Sequence, residues 1–331
     1  MQAPRFWSNP PEAPGLVARL LSPLGAIYAA ATARRIASGA RQKQDKPVIC
    51  VGNINAGGVG KTPTVIAIVQ LLQGQFHVPH IVSRGYGGQA IGPKHVDPSQ
   101  DRADVVGDEP LLLAAFADVW VSKDRLAGVA AAFAAGATVV VLDDGFQHAA
   151  LHYDLSIVVA DAALGFGNGR CIPAGPLREP ADVGLARADL LVTLGKTAEQ
   201  ESFSARYKDL VHCPHIQGAL RPLQTGMDWS NMRALAFAGI GQPQKYFRTL
   251  SELGATIVRA EALGDHAALS PALLKRLETE AADKGAQLVT TEKDAARLPP
   301  SFRGKVLTLP VRLSFDNDQA LVDALRTLPA P

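Results

Sequence analysis

Short apolar runs alternate with longer stretches rich in Ala and Leu along the chain, and the alternation is regular as far as Lys196. Runs such as Val48-Ile-Cys-Val51 and Thr138-Val-Val-Val-Leu142 have no polar alternation, as expected of strands in a parallel sheet covered on both faces. Strands are predicted at 47–52, 79–83, 118–121, 137–142, 155–160 and 189–193, with helices at roughly 62–73, 108–116 and 124–135. This β-α rhythm specifies a doubly wound, mostly parallel sheet. From Lys196 to about Trp229 the rhythm breaks, with Pro214, Pro222 and one predicted strand near 215–220, so this stretch reads as a connector. A second α/β series follows, with strands near 234–238, 255–259, 287–290 and 306–309 and helices near 244–253 and 270–284. The expected organisation is an N-terminal helical region at 1–35, a first α/β domain at 36–200, a linker at 201–230 and a smaller α/β domain at 231–331. Two lobes imply a cleft.

Length supports the division, because 331 residues exceed the about 250–300 that one core usually serves. Hydrophobic residues are 47% and charged ones 19%, which places both domains among globular chains. A net charge of +2 argues against a nucleic-acid partner. Cys50, Cys171 and Cys213 are odd in number and lack metal-ligand spacing, consistent with a reducing compartment.

Leu16 to Ala31 is mostly apolar, preceded by Phe6 and Trp7 and followed by Arg34, Arg35, Arg41 and Lys43. Arg19 and Pro23 interrupt it, which argues against a bilayer crossing. A signal peptide cleaved near Ala29-Ala-Ala-Thr-Ala33 is a rival reading. The expectation is a helix lying in the membrane interface, apolar face inward and basic residues towards anionic lipid. A helix that packs on its own domain has the same pattern.

Directly after the first predicted strand, Asn55-Ala-Gly-Gly-Val-Gly-Lys-Thr62 has the composition of a phosphate-binding loop. Gly57, Gly58 and Gly60 let the backbone turn tightly into a helix, so that N–H groups and the helix dipole converge on an anion. Lys61 adds charge and Thr62 offers a hydroxyl to Mg²⁺. The general pattern has glycine where this chain has Asn55. A turn that merely joined strand to helix would not require Lys-Thr at its end.

The fourth predicted strand ends in Asp143-Asp144-Gly-Phe-Gln-His148, delivering two carboxylates to the edge where ligands of doubly wound sheets collect. Asp143 is the expected Mg²⁺ partner, with Asp144 beside it. Ser83-Arg-Gly-Tyr-Gly87, Gly107-Asp-Glu-Pro110 and Pro173-Ala-Gly-Pro-Leu-Arg-Glu-Pro180 should reach the same edge. Asp108 and Glu109 alone would be explained as favourable charges at a helix N-terminus. Their convergence with cations and a phosphate loop is what phosphoryl transfer requires.

The ordered set GGVGKTP (57–63), SRGYG (83–87), GDEP (107–110), DDGFQH (143–148), PLREP (176–180), AGIGQP (238–243), GDH (264–266) and TTEKDAARL (290–298) resembles the tetraacyldisaccharide 4'-kinase family of lipid A biosynthesis. The resemblance runs from about residue 7 to 298. It implies ATP-dependent phosphorylation of the 4'-hydroxyl of a lipid-linked glucosamine disaccharide at the cytoplasmic face of a Gram-negative inner membrane, with no obligate protein partner. It also implies two α/β lobes joined by a hinge of short strands and a peripheral, membrane-contacting N-terminal helix. Carried over by motif, it makes Asp108 the base, with His266 its partner across the cleft. Glu109 and Arg125 orient substrate or phosphate, Arg178 answers the moving phosphoryl charge, and Tyr86 lines the nucleotide or acceptor site. The chain departs from the family around Leu263-Gly-Asp-His-Ala267, which lacks the flanking aromatic and second histidine.

A switch-type ATPase or GTPase shares the Gly-Gly-x-Gly-Lys-Thr loop. Many of those carry lysine where this chain has Ala56, and a bare switch leaves the second lobe unexplained. A dinucleotide oxidoreductase is disfavoured because no G-x-G-x-x-G follows the first strand. The TTEKD cluster at 290–294 has no role legible in sequence beyond bracing a hinge or touching substrate.

Overall fold

The computed structural model describes residues 3–264, 267 and 269–329. Among them the strands are β1 (Val48–Gly52), β2 (Pro79–Ser83), β3 (Lys94–His95), β4 (Val119–Val121), β5 (Val139–Asp143), β6 (Leu155–Asp161), β7 (Leu190–Leu194), β8 (His215–Pro222), β9 (Arg233–Ala238), β10 (Thr256–Ala262), β11 (Gln287–Thr291), β12 (Val306–Leu309) and β13 (Val311–Phe315). The large sheet runs β13-β8-β7-β6-β1-β5-β2-β4-β3, and β10-β9-β11-β12 form a second, wholly parallel sheet. Only the outermost pairs of the large sheet, β3 with β4 and β13 with β8, are antiparallel.

The central strands are buried along their whole length, which explains their unbroken apolar sequence. Successive side chains still alternate between faces. Ile49, Val51, Val139, Val141, Ile157 and Val159 pack with Ile68 and Leu72 of the helix Lys61–Gly74. Val48, Val140 and Leu142 pack on the other side with Val129 and Ala132 of Arg125–Ala134. In the second lobe Ala234, Ala236 and Ala238 meet Tyr246, Phe247 and Leu250 on one face, while Leu235 and Phe237 meet Leu274 and Leu277 on the other.

Two expected boundaries need correction. Residues 201–230 do not form a free linker: the helix Thr197–Tyr207 buries Phe203 and Tyr207 in the first lobe, and β8 extends the large sheet beside β7. Nor does the second lobe run to the end of the chain. It stops at Leu309; β13 returns to pair with β8, and Leu321, Leu325 and Leu328 join the main core of the first lobe. The reason is hydrophobic burial, since these leucines recur at one-turn spacing on the helix Gln319–Arg326 and just beyond it, and require an apolar partner. The two crossings between lobes lie side by side, tied by the Leu223 N–H to the Pro310 carbonyl at 2.9 Å.

The N-terminal helix Leu16–Ala37 is long and apolar enough to cross a membrane by length and hydropathy. Its small residues Ala18, Gly25 and Thr32 are buried against the first lobe, along with Ile36, and a Cβ at Gly25 would lie 2.8 Å from the Cys171 carbonyl oxygen. Leu16, Val17, Leu20, Leu24 and Ile27 face outward, Leu20 at 70% exposure.

Candidate active site

β1 lies between β5 and β6, and the chain winds outward from it in both directions, so a crevice opens at the carboxyl ends of these strands. The phosphate loop rises there. Val51 of β1 is directly paired with Asp143 of β5, and the Asp144 N–H donates to the Val51 carbonyl at 2.9 Å. Sheet register alone therefore brings the two motifs together.

Inside the loop, residues divide between bracing and opening. Asn55 is buried and its side-chain amide donates to the Gly165 carbonyl at 2.9 Å. The Ala56 N–H donates to Pro176 O and the Arg178 N–H to Ile54 O, both at 2.7 Å, so the Pro176–Arg178 segment clamps the loop's entry. Gly57 and Gly58 are exposed, and a Cβ on either would meet nothing within 4 Å. Gly57 and Gly60 have φ of 113° and 97°, a backbone that disfavours other residues. Val59 is buried, while Lys61 and Thr62 stand half-buried in the helix's first turn. Asn53, which sequence reading passed over, shapes the loop from within: its amide donates to the carbonyls of Asn55 and Gly57, and its Oδ1 accepts from Lys61 at 3.2 Å.

The paired aspartates have opposite environments. Asp143 is buried; Ser83 Oγ donates to its Oδ2 at 3.1 Å, and its Oδ1 has no partner among the described residues. Burial, with the charge of Glu109, raises its pKa to about 6. Asp144 sits in the left-handed region at φ 58°, an uncommon conformation for a residue with a side chain. Arg178 holds it bidentately at 2.7 and 3.3 Å, and Lys61 lies 3.7 Å away. Burial pushes the Asp144 carboxyl up, but Lys61 and Arg178 outweigh it and hold it below the usual range. An orphaned, buried carboxylate oxygen beside a triphosphate cradle is what a divalent cation satisfies. Among the described residues no group of three or more His, Cys, Asp or Glu could hold a metal alone, but Mg²⁺ shared with phosphates needs only one or two carboxylates.

Arg125 is buried behind this corner. Burial lowers its pKa against the pull of Asp143 and Asp144, and Nη1 and Nη2 donate to the carbonyls of Ser122 and Asp144 at 3.0 and 3.4 Å. It thus fixes the strand end. Gln147 donates to Asn53 O at 2.9 Å and Glu179 Oε1 at 3.0 Å, and Glu179 is held by Arg187, so the DDGFQH and PLREP motifs form one brace under the loop.

Asp108 is buried at the start of the helix Asp108–Leu113, with Glu109 beside it. The second lobe reaches both: Lys293 Nζ lies 3.3 Å from Glu109 Oε1 and 3.9 Å from Asp108 Oδ2, and Arg297 Nη1 lies 4.0 Å from Asp108 Oδ2. The TTEKD cluster, opaque in sequence, is thereby explained. Thr290 Oγ1 donates to Phe237 O, and Thr291 caps the helix Glu292–Ala296. Glu292 pairs with Arg312 of β13, and Asp294 accepts from the Gly239 N–H. Further ties between the lobes join Lys245 to Asp161 at 2.9 Å, at the end of β6, and Lys196 to Glu252 at 3.2 Å. Tyr86 is 71% exposed on a loop whose backbone packs against Gly107. His266 lies outside the described residues.

A family model for tetraacyldisaccharide-1-P 4'-kinase (LpxK) matches residues 17–329 of the chain. The chain belongs to this family. Tetraacyldisaccharide 4'-kinases of Dinoroseobacter shibae and a Jannaschia species are 58% and 54% identical to it, over 99% and 96% of this chain and 98% and 96% of theirs. LpxK from Aquifex aeolicus, solved in complex with ATP, superposes with a TM-score of 0.76 at 26% identity, over 94% of this chain and 99% of that one. The match to the tetraacyldisaccharide 4'-kinases takes in both lobes and the β8–β13 connection, which a bare nucleotide switch leaves unexplained.

Proposed function

We propose that this chain transfers the γ-phosphoryl group of ATP to the 4'-hydroxyl of a lipid-linked glucosamine disaccharide, tetraacyldisaccharide 1-phosphate, in lipid A biosynthesis. The supporting observation is the open cradle of Gly57 and Gly58, flanked by Lys61 and the Asp143–Asp144 corner, in a chain that matches the kinase family over residues 17–329. Backbone N–H groups of Gly57 to Gly60 receive the phosphates, and Lys61 neutralises their oxygens. Asp143, with Thr62 and Asp144 beside it, would hold Mg²⁺, which when bound supplies charge neutralisation at the β and γ oxygens. Asp108 accepts the sugar hydroxyl's proton, with His266 as its partner, and Glu109 orients the acceptor. Arg178 stabilises the transferred charge, although the same guanidinium must then share itself with Asp144. Arg125 acts through the strand end it braces, and Tyr86 lines the nucleotide or acceptor site.

The outward stripe of Leu16, Val17, Leu20, Leu24 and Ile27 supports a peripheral seat on the cytoplasmic face of the inner membrane, where a lipid acceptor resides. The reading requires neither nucleic acid nor a protein partner. The test is transfer of label from γ-labelled ATP to tetraacyldisaccharide 1-phosphate in mixed micelles by the purified protein. Labelled lipid that requires both Mg²⁺ and Lys61 is expected; ATP hydrolysis with no label in the lipid would return the chain to the switch ATPases.

A further inference from the structure

We propose that Lys293, carried by the second lobe, is a positioning residue for the transfer, seating its ammonium on the Asp108–Glu109 pair so that the site is complete only when the lobes meet. The inference rests on the kinase reading above and extends it to a residue outside the nucleotide lobe. Three observations support it.

Lys293 has a rigid mount. Thr291 caps its helix, and Asp294, fully buried, binds the Gly239 N–H, the Thr291 hydroxyl and Arg297. Glu292 ties the same helix to Arg312 of β13, a strand of the first lobe's sheet. The ammonium's place therefore follows the angle between the lobes. Its side chain is 17% exposed, so water screens the interaction with Glu109 less than at a free surface. Finally, the ammonium meets two neighbouring carboxylates at once, 3.3 Å from Glu109 Oε1 and 3.9 Å from Asp108 Oδ2, and a cation shared between adjacent anions offsets their repulsion where an anionic triphosphate must also be received.

ATP docks on the first lobe, so loss of Lys293 should spare nucleotide binding and impair turnover. For Lys293→Met we expect kcat to fall about 10- to 100-fold with the ATP KM within about 3-fold, a split that loss of lobe stability would not produce. Lys293→Arg, which keeps the charge, should recover most of the loss. In a double-mutant cycle with Glu109→Gln, the second substitution should cost little further in the Lys293→Met background. Should Lys293→Met melt below the assay temperature, Lys293→Gln takes its place under the same criteria. Wild-type-like kcat in the Lys293 variant, or independent multiplication of the two effects, overturns the proposal while leaving an active wild-type kinase intact. An inert wild-type protein instead sinks the kinase reading and this inference with it.

Discussion

Asp143 and Asp144 are adjacent in sequence yet are driven in opposite directions, and the difference is one of partners. Asp144 meets Lys61 and Arg178; Asp143 meets Ser83, burial and the charge of Glu109. Because its pKa rises from 3.8 to about 6, the folded protein between those values keeps a proton that the unfolded chain has lost. Stability of the ligand-free protein should therefore fall as pH rises through that window and stay at the lower level above it. Asp143→Asn should flatten this dependence and stabilise the ligand-free protein near neutral pH, while reducing turnover. Thermal melting of both proteins across that pH range checks the sign. Asp108→Asn should leave ATP binding near normal and lower kcat by roughly 10²–10⁴-fold, the usual range for a lost general base. Near-normal kcat at saturating substrate would remove Asp108 from that role.

At the level of elements, the N-terminal helix separates its residues by size. Small side chains permit close approach to the loop around Cys171, and the large apolar ones are left facing away. Gly25→Leu should cost about 1–3 kcal/mol, because the new side chain would be driven into the Cys171 carbonyl. Leu20→Glu should change stability by less than about 0.5 kcal/mol, as expected of an exposed position. It should nonetheless weaken binding to anionic vesicles, measured by co-sedimentation. Equal vesicle binding by Leu20→Glu and wild type would leave the helix with only its packing role. The two readings that amphipathic pattern could not separate, packing and interface, concern different faces of one helix.

For the whole molecule, the chain passes to the second lobe once and returns once, and the return strand completes the first lobe. A chain ending at Leu309 should therefore lose the first lobe's stability as well as the connection, because β13 and the leucines at 321, 325 and 328 go with it. Calorimetry of the truncated protein should show the nucleotide-lobe transition shifted to lower temperature; an unshifted transition would mean that the return segment is dispensable. Lobe angle then rests on a set of polar contacts, among them Lys293 and Arg297 with the Asp108–Glu109 pair, Glu292 with Arg312, Lys245 with Asp161 and Lys196 with Glu252, and on the paired crossings. Polar contacts of this kind reform in new geometries more readily than packed cores do, which suits a cleft that must admit a substrate.

Sequence determined what is local or periodic. The buried strands announced themselves as unbroken apolar runs, and the phosphate loop by the glycines that its backbone requires. Asp143 was legible because a strand's end fixes where its last residue lies. Tertiary structure alone decided what depends on contact between distant segments: that Asn55 braces instead of opening the loop, that Arg125 lies behind Asp144, that Glu292, Lys293 and Asp294 face three different partners, and that residues 311–328 rejoin the first sheet. Each of these is a long-range hydrogen bond, ion pair or buried face. Residue types show that such a group needs a partner, but only the folded chain selects which one.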